Sequence, residues 1–325
     1  MNLVELREQF ESELNEYLNA LPNNNLHAPI KYILSLGGKR FRPILVLLSA
    51  SAFGKLDKKT RQAALAVEIF HNFSLVHDDI MDEAPLRRGK KTVHAKWDEN
   101  TAILSGDAML IEAYKMLSLA GTSSNLKDLL DLFNKTSAEV CWGQQLDMDF
   151  EMRSDVDVES YIEMIGLKTA VLLGCALKMG AIVGRANKKD ADLLYEFGKQ
   201  AGIGFQIQDD YLDAFGDPKK FGKQIGGDII SNKKTILIIR ALKMADEDLK
   251  KELSQIYFEN SLKDQNEKVE RVKEIFEAIG VDRETQQLSR DYFNRAAKCI
   301  DELTISDEKK NLFRDFLAML EQRSY

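Results

Sequence analysis

The stretch Lys58–Asp82, KKTRQAALAVEIFHNFSLVHDDIMD, decides how this chain folds. Asp57, just before it, is a residue type that caps a first helical turn through its side-chain oxygen. The apolar residues behind that cap recur with helical spacing and no proline or glycine interrupts them, which predicts one long helix over Lys58–Met81. Its C-terminal end carries Asp78-Asp79-Ile80-Met81-Asp82. In helical geometry Asp78 and Asp82 are four apart on one face, where like charges repel. The negative end of the helix dipole disfavours them further, by roughly a few tenths of a kcal/mol. A divalent cation bound between them is the simplest remedy.

The same pattern returns as Asp209-Asp210-Tyr211-Leu212-Asp213, near the end of a second predicted helix, Lys188–Phe215. A basic loop bracketed by Pro85 and Gly89 follows the first cluster, and a polar, glycine-rich loop over 216–228 follows the second. One acidic helix end is ordinarily a solvated face. Two in apolar surroundings, each followed by a basic loop, point to hard-oxygen ligation of Mg²⁺ shared with phosphate oxygens. The chain has no GxxxxGK[ST] stretch and no GxGxxG motif after a strand, so a nucleotide loop is unsupported. A diphosphate on an apolar carrier is the expected ligand class.

The rest of the chain agrees with a helical enzyme. With 325 residues, five prolines and 19 glycines, it has no linker-like segment, and one domain over 1–325 is expected. Further helices are predicted over 3–18, 44–53, 100–119, 126–150, 158–165 and 168–183, with amphipathic helices filling 232–324. A net charge of -7 leaves no electrostatic footprint for nucleic acid. The N-terminal segment is rich in glutamate and lacks the apolar core of a signal peptide, and no run approaches the roughly 20 apolar residues of a membrane span. A soluble, cytoplasmic protein is expected, with Cys141, Cys175 and Cys299 as buried, reduced thiols.

Several motifs, in order and at compatible spacing, give the chain a resemblance to the trans-isoprenyl diphosphate synthases, the polyprenyl synthetase family, over essentially its whole length. They are Gly37-Gly38-Lys39-Arg40-Phe41-Arg42-Pro43, the first aspartate cluster with Leu86-Arg87-Arg88-Gly89, Gly143-Gln144 with Asp147, and Lys168-Thr169. Gln206-Ile207-Gln208 before the second cluster, Gly222-Lys223, Gly227-Asp228 and Lys233 complete the set. The resemblance implies an all-α fold, a large helical bundle around a central cavity of the isoprenoid synthase type I kind. It implies Asp78, Asp82 and Asp209 as ligands of Mg²⁺, three ions with substrate, and Asp79 and Asp213 as auxiliary groups.

By the same similarity Lys39, Arg42, His71 and Arg88 resemble an isopentenyl diphosphate pocket that needs no metal. Arg87, Lys168 and Lys223 resemble groups that grip the allylic diphosphate, which Lys233 closes from the loop side. Thr169 and Gln206 resemble polar groups whose oxygens face the cationic carbon. In this family the tail grows along the helix bearing the first cluster, towards a bulky floor. Phe73, with small Ser74 beside it and Phe70 a further turn down, resembles members making the twenty-carbon geranylgeranyl diphosphate, with farnesyl diphosphate as the alternative. A class I terpene cyclase and a non-catalytic subunit of a heteromeric synthase are the competing functions. Family members are usually homodimers, and the apolar run Ala102–Leu119 is a candidate interface helix.

Overall fold

Side-chain caps set where many helices begin. Asn2 and Glu5 form a reciprocal capping box at the first helix, and Asp57, Asp98, Asp157, Asp246 and Asp264 each accept a backbone N–H of the first turn they precede. The structure, a computed structural model, describes residues 2–153, 155–216, 226–259 and 261–322. The order begins α1 (Leu3–Ala20), α2 (His27–Ser35), α3 (Phe41–Phe53) and α4 (Lys58–Met81), then a hairpin of β1 (Leu86–Arg87) and β2 (Lys90–Lys91). There follow α5 (Val93–Lys96), α6 (Glu99–Ala120), α7 (Leu126–Met152) and α8 (Val158–Ile165). A π-turn, Gly166–Ala170, joins α8 to α9 (Val171–Val183), and α10 (Lys188–Phe215) comes next. The remainder is α11 (Gly227–Ile230), α12 (Ile236–Met244), α13 (Glu247–Phe258), α14 (Gln265–Ile279), α15 (Val281–Asp301) and α16 (Asp307–Glu321).

The chain divides into two compact units. One comprises residues 1–137, 172–198 and 302–313, and the other 138–171, 199–301 and 314–325. In the first unit α4 packs against α3 and α6. Ala63 through Phe70 are all buried, so this stretch of α4 is enclosed on every side. The same holds for α3, where Pro43 through Ala50 are buried in succession, as its continuous apolar run implied. Close approach of α3 and α9 depends on glycine: a Cβ at Gly180 would stand 2.2 Å from the Val46 carbonyl oxygen. In the second unit Leu253, Ile256, Tyr257, Val272 and Phe276 form a core with Ile229 and Leu237, and Tyr161, Ile165, Ile203 and Ile207 form another with Phe150.

Three sequence expectations need correction. The helix expected to start at Lys168 has no boundary there, because α8 runs through the π-turn into α9. That continuous helix, Val158–Val183, is long and apolar enough by composition to cross a membrane, contrary to the sequence estimate, yet 72% of its apolar window is buried inside the protein, as in a core helix. Of the cysteines only Cys175 is buried; Cys299 is half-buried and Cys141 is exposed on α7 beside Trp142, which is itself 53% exposed.

Candidate active site

In the first unit a basic cluster is built from a strained loop and a hairpin. Gly37 and Gly38 take φ of +76° and +130°, and Arg40 is held left-handed at φ +53° where it enters α3. Its buried guanidinium explains why: it binds Glu68 at 2.6 Å, Glu11 at 3.1 Å and the Leu34 carbonyl at 2.7 Å. This anchorage places Arg42 on the first turn of α3, with Nη1 donating to His71 Nε2 at 3.1 Å. Because a guanidinium only donates, His71 carries its own proton on Nδ1. Burial, reinforced by Arg42 and Arg88, holds the His71 pKa well below the usual histidine value. Burial also pushes Arg42 down to about 10, against the pull of Glu68, and its Nε is buried without a hydrogen-bond partner.

Arg88 reaches this loop from the hairpin. Leu86 pairs with Lys91 and Arg87 with Lys90, leaving Arg88-Gly89 as a two-residue turn with φ of +52° and +72°. Positive φ at both positions is the type I′ pattern, which costs a non-glycine residue about 1 kcal/mol. Arg88 Nη1 then donates to the Gly37 carbonyl, and a Cβ on Gly38 would lie 2.8 Å from the Arg88 guanidinium carbon. Arg42 and His71 are thus in hydrogen-bonding contact within reach of the Arg88 charge, with Lys39 on the same loop over the Phe41 ring at 5.8 Å.

The first aspartate cluster occupies the end of α4. Asp79 is buried and accepts from Arg87 through Nη2 at 2.6 Å and Nε at 2.8 Å, while Asp78 lies 3.8 Å from the same guanidinium. Burial alone would lower the Arg87 pKa, but the Asp79 hydrogen bonds and charge outweigh it and hold it up. Asp79 therefore serves to orient Arg87. One turn below, the Phe73 ring packs on His77 at 4.9 Å and on Phe70 at 5.5 Å, and Phe70 meets Phe133 at 5.1 Å. Ser74 is small and turns its hydroxyl to the His71 carbonyl at 2.8 Å.

The second unit holds the other cluster on α10. Asp210 is buried and accepts from the Tyr161 hydroxyl, from Gln206 Nε2 at 3.3 Å and from the Ile236 N–H at 3.3 Å. Burial pushes it up to about 7 although the Tyr161 hydrogen bond opposes that shift. Asp213 accepts the Asp228 N–H at 2.9 Å, and Asp209 is half-buried. In both clusters, then, the middle aspartate is buried and bonded. Sequence reasoning gave Asp210 no role beyond its place in the second cluster and did not single out Tyr161, because a helical tyrosine 49 residues away in the chain carries no local signal.

Lys168 and Thr169 sit half-buried on the π-turn, and Lys168 Nζ binds Asp147 on α7 at 2.5 Å. Single π-turns of this kind occur frequently at functional sites. Gly143 explains the approach of α7: a Cβ there would lie 2.2 Å from the Lys168 amide nitrogen. Gln144, the next residue, has a buried Nε2 with no hydrogen-bond partner among the described residues. Lys233 donates its N–H to the Asp228 carbonyl at 2.9 Å. Lys223, with Gly222, lies outside the described residues.

The donor set fits magnesium. Among the described residues no three acidic, histidine or cysteine side chains converge on one point. Asp78, Asp82 and Asp209 would hold such an ion through single carboxylate oxygens, leaving the rest of its oxygen ligands to water and phosphate, the ordinary manner of Mg²⁺.

The family model described as polyprenyl synthetase matches residues 23–279. The chain belongs to the polyprenyl synthetase family. It is 36% identical over 306 residues to the short chain isoprenyl diphosphate synthase of Methanothermobacter thermautotrophicus, covering 94% of this chain and 93% of that one. It is 39% identical over 290 residues to the geranylgeranyl diphosphate synthase of Saccharolobus solfataricus, covering 88% and 86%. A crystal structure of geranylgeranyl pyrophosphate synthase superposes with a TM-score of 0.94 at 47% identity over 100% of both chains.

Proposed function

We propose that this chain is a short-chain trans-prenyltransferase. It condenses isopentenyl diphosphate with dimethylallyl, geranyl or farnesyl diphosphate and makes chiefly geranylgeranyl diphosphate, with farnesyl diphosphate the shorter alternative. What supports this reading is the presence of two chemically different sets of side chains suited to anions, the aspartate clusters on α4 and α10 and the basic cluster around Arg42 and His71. Carboxylates at Asp78, Asp82 and Asp209 hold a diphosphate only through cations, whereas Arg42, His71, Arg88 and Lys39 hold one directly by charge-assisted hydrogen bonds.

Magnesium bound to those carboxylates, three ions by the family pattern, supplies Lewis-acid stabilisation of the departing diphosphate. Lys168, Arg87 and Lys233, with Lys223, neutralise the same group as the allylic C–O bond breaks and diphosphate leaves with the electron pair. The isopentenyl double bond then forms the new C–C bond, and a proton passes to the diphosphate as the product double bond forms. Gln206 uses Nε2 on Asp210, which fixes its amide and directs the carbonyl oxygen elsewhere; with the Thr169 hydroxyl it would face the cationic carbon. Neutral His71 accepts from Arg42 and keeps that guanidinium aimed at the isopentenyl diphosphate.

We further propose one polyprenyl synthetase domain over 1–325, acting as a cytoplasmic homodimer. Exposed Leu104, Ile111 and Leu119 on α6, at 59, 69 and 47% of their full exposure, support that helix as the interface.

Incubation with Mg²⁺, labelled farnesyl diphosphate and isopentenyl diphosphate tests the reaction. A twenty-carbon diphosphate that needs both substrates is expected. Hydrocarbon release without isopentenyl diphosphate would instead indicate a cyclase, and inactivity a non-catalytic subunit. Phe73→Ala should lengthen the product by at least one five-carbon unit, since it removes the ring from the floor; an unchanged product spectrum takes Phe73 out of that role.

A further inference from the structure

The short helix α11 and the residues after it carry Lys233, and they are held at both ends by charges that match the helix dipole. At the N-terminal end the Asp213 carboxylate accepts the Asp228 N–H at 2.9 Å, and the Asp213 carbonyl accepts the Gly226 N–H at 2.7 Å. At the C-terminal end Lys268 of α14 donates through Nζ to the Ile230 carbonyl at 3.4 Å and to Asn232 Oδ1. A negative group at the start of a helix and a positive one at its end are each favourable.

Lys268 is an unusual residue for this place. It is only 3% exposed, and burial lowers its pKa. Lysine is almost never fully buried unless paired, because desolvating an ammonium costs more than surface packing returns. The Tyr257 ring lies 5.8 Å from Nζ. The neighbouring Val269 abuts Gly226, where φ is +76° and a Cβ would fall 2.7 Å from its methyl groups. So α14 presses on one end of the segment and binds the other.

The segment transmits this hold to Lys233. Asn232, the second acceptor of Lys268, takes a left-handed φ of +56°. The next residue, Lys233, donates its N–H to the Asp228 carbonyl at 2.9 Å, and Thr235 donates back to the Lys233 carbonyl at 2.9 Å.

We propose that Lys268 is a positioning residue for the reaction: it fixes α11 and Asn232, and through them sets where the Lys233 ammonium meets the allylic diphosphate. This rests on the reading of Lys233 given above.

The test is a double-mutant cycle. Lys268→Met should raise KM for the allylic diphosphate about tenfold, the loss of a charged hydrogen bond, and leave KM for isopentenyl diphosphate unchanged. In a Lys233→Ala background the same substitution should change the allylic KM less than about twofold, because its effect runs through Lys233. A full effect in that background, or an equal rise in both KM values, overturns the proposal. Asn232→Gly keeps the left-handed backbone and removes the Oδ1 acceptor, so it should act in the same direction if Lys268→Met fails to fold; no change in the allylic KM overturns the proposal equally. If the wild-type chain makes no prenyl product, the function fails rather than the clamp. Hydrogen exchange at the Asp228 and Lys233 amides then reads the clamp directly: Lys268→Met or Asn232→Gly should speed it, and unchanged exchange contradicts it.

Discussion

Asp78→Ala and Asp209→Ala should each lower kcat by about 10³-fold, whereas Asp213→Ala should cost about tenfold, on the scale found when single groups that stabilise transition-state charge are removed. The difference follows from what each carboxylate does. Asp78 and Asp209 are half-buried near helix ends, and in the proposed mechanism each would share a cation with a phosphate oxygen. Asp213 accepts the Asp228 N–H at 2.9 Å, and in the proposed mechanism it supports the segment bearing Lys233. Loss of a cation ligand is felt most as charge builds on the leaving group, so the defect should appear in kcat. Steady-state kinetics at saturating Mg²⁺ separates the three variants; equal defects would refute the asymmetry.

The second large effect is on stability. Arg40→Met should destabilise the protein by about 3–5 kcal/mol, the cost of leaving a buried partner charge uncompensated. Arg40 and Glu68 side chains are each 2% exposed and meet at 2.6 Å, and the same guanidinium also caps the Leu34 carbonyl. In Arg40→Met, Glu68 would keep the hydrogen bond from Asn72 Nδ2 at 3.0 Å and the more distant charges of Arg42 and Arg88, but no ion pair in direct contact. Arg40→Met combined with Glu68→Met should recover much of the loss, since two packed apolar side chains no longer oppose burial. Urea unfolding midpoints of the single and double variants check this; additive losses would show that Arg40 and Glu68 are not coupled.

The long helices were legible because their signals are local. Asp57 and the 3.6-residue apolar spacing behind it placed α4 with its bounds, and with it Asp78 and Asp82. The pairing of Arg42 with His71 was suggested only by the resemblance, since they stand 29 residues apart and nothing in either segment announces the other. Arg40 passed as one more motif residue because its partners Glu11 and Glu68 lie 29 and 28 positions away. The π-turn was hidden for a different reason: nothing in Gly166-Leu167-Lys168-Thr169-Ala170 distinguishes it locally from the helix on either side, and the close approach of Gly143 to Lys168 is a contact from a distant part of the chain. Cys141 shows the limit of composition, which says that a thiol is apolar but not which face of α7 is covered.

The central claim is that the two diphosphates are held by different chemistry, one through metal and one through Arg42, His71 and Arg88. Equilibrium binding of isopentenyl diphosphate and of a non-ionisable thiolo analogue of farnesyl diphosphate, each with Mg²⁺ and with EDTA, tests it most directly. Removal of the metal should abolish binding of the allylic analogue and leave that of isopentenyl diphosphate nearly unchanged. Equal retention, or equal loss, of both ligands in EDTA would contradict it.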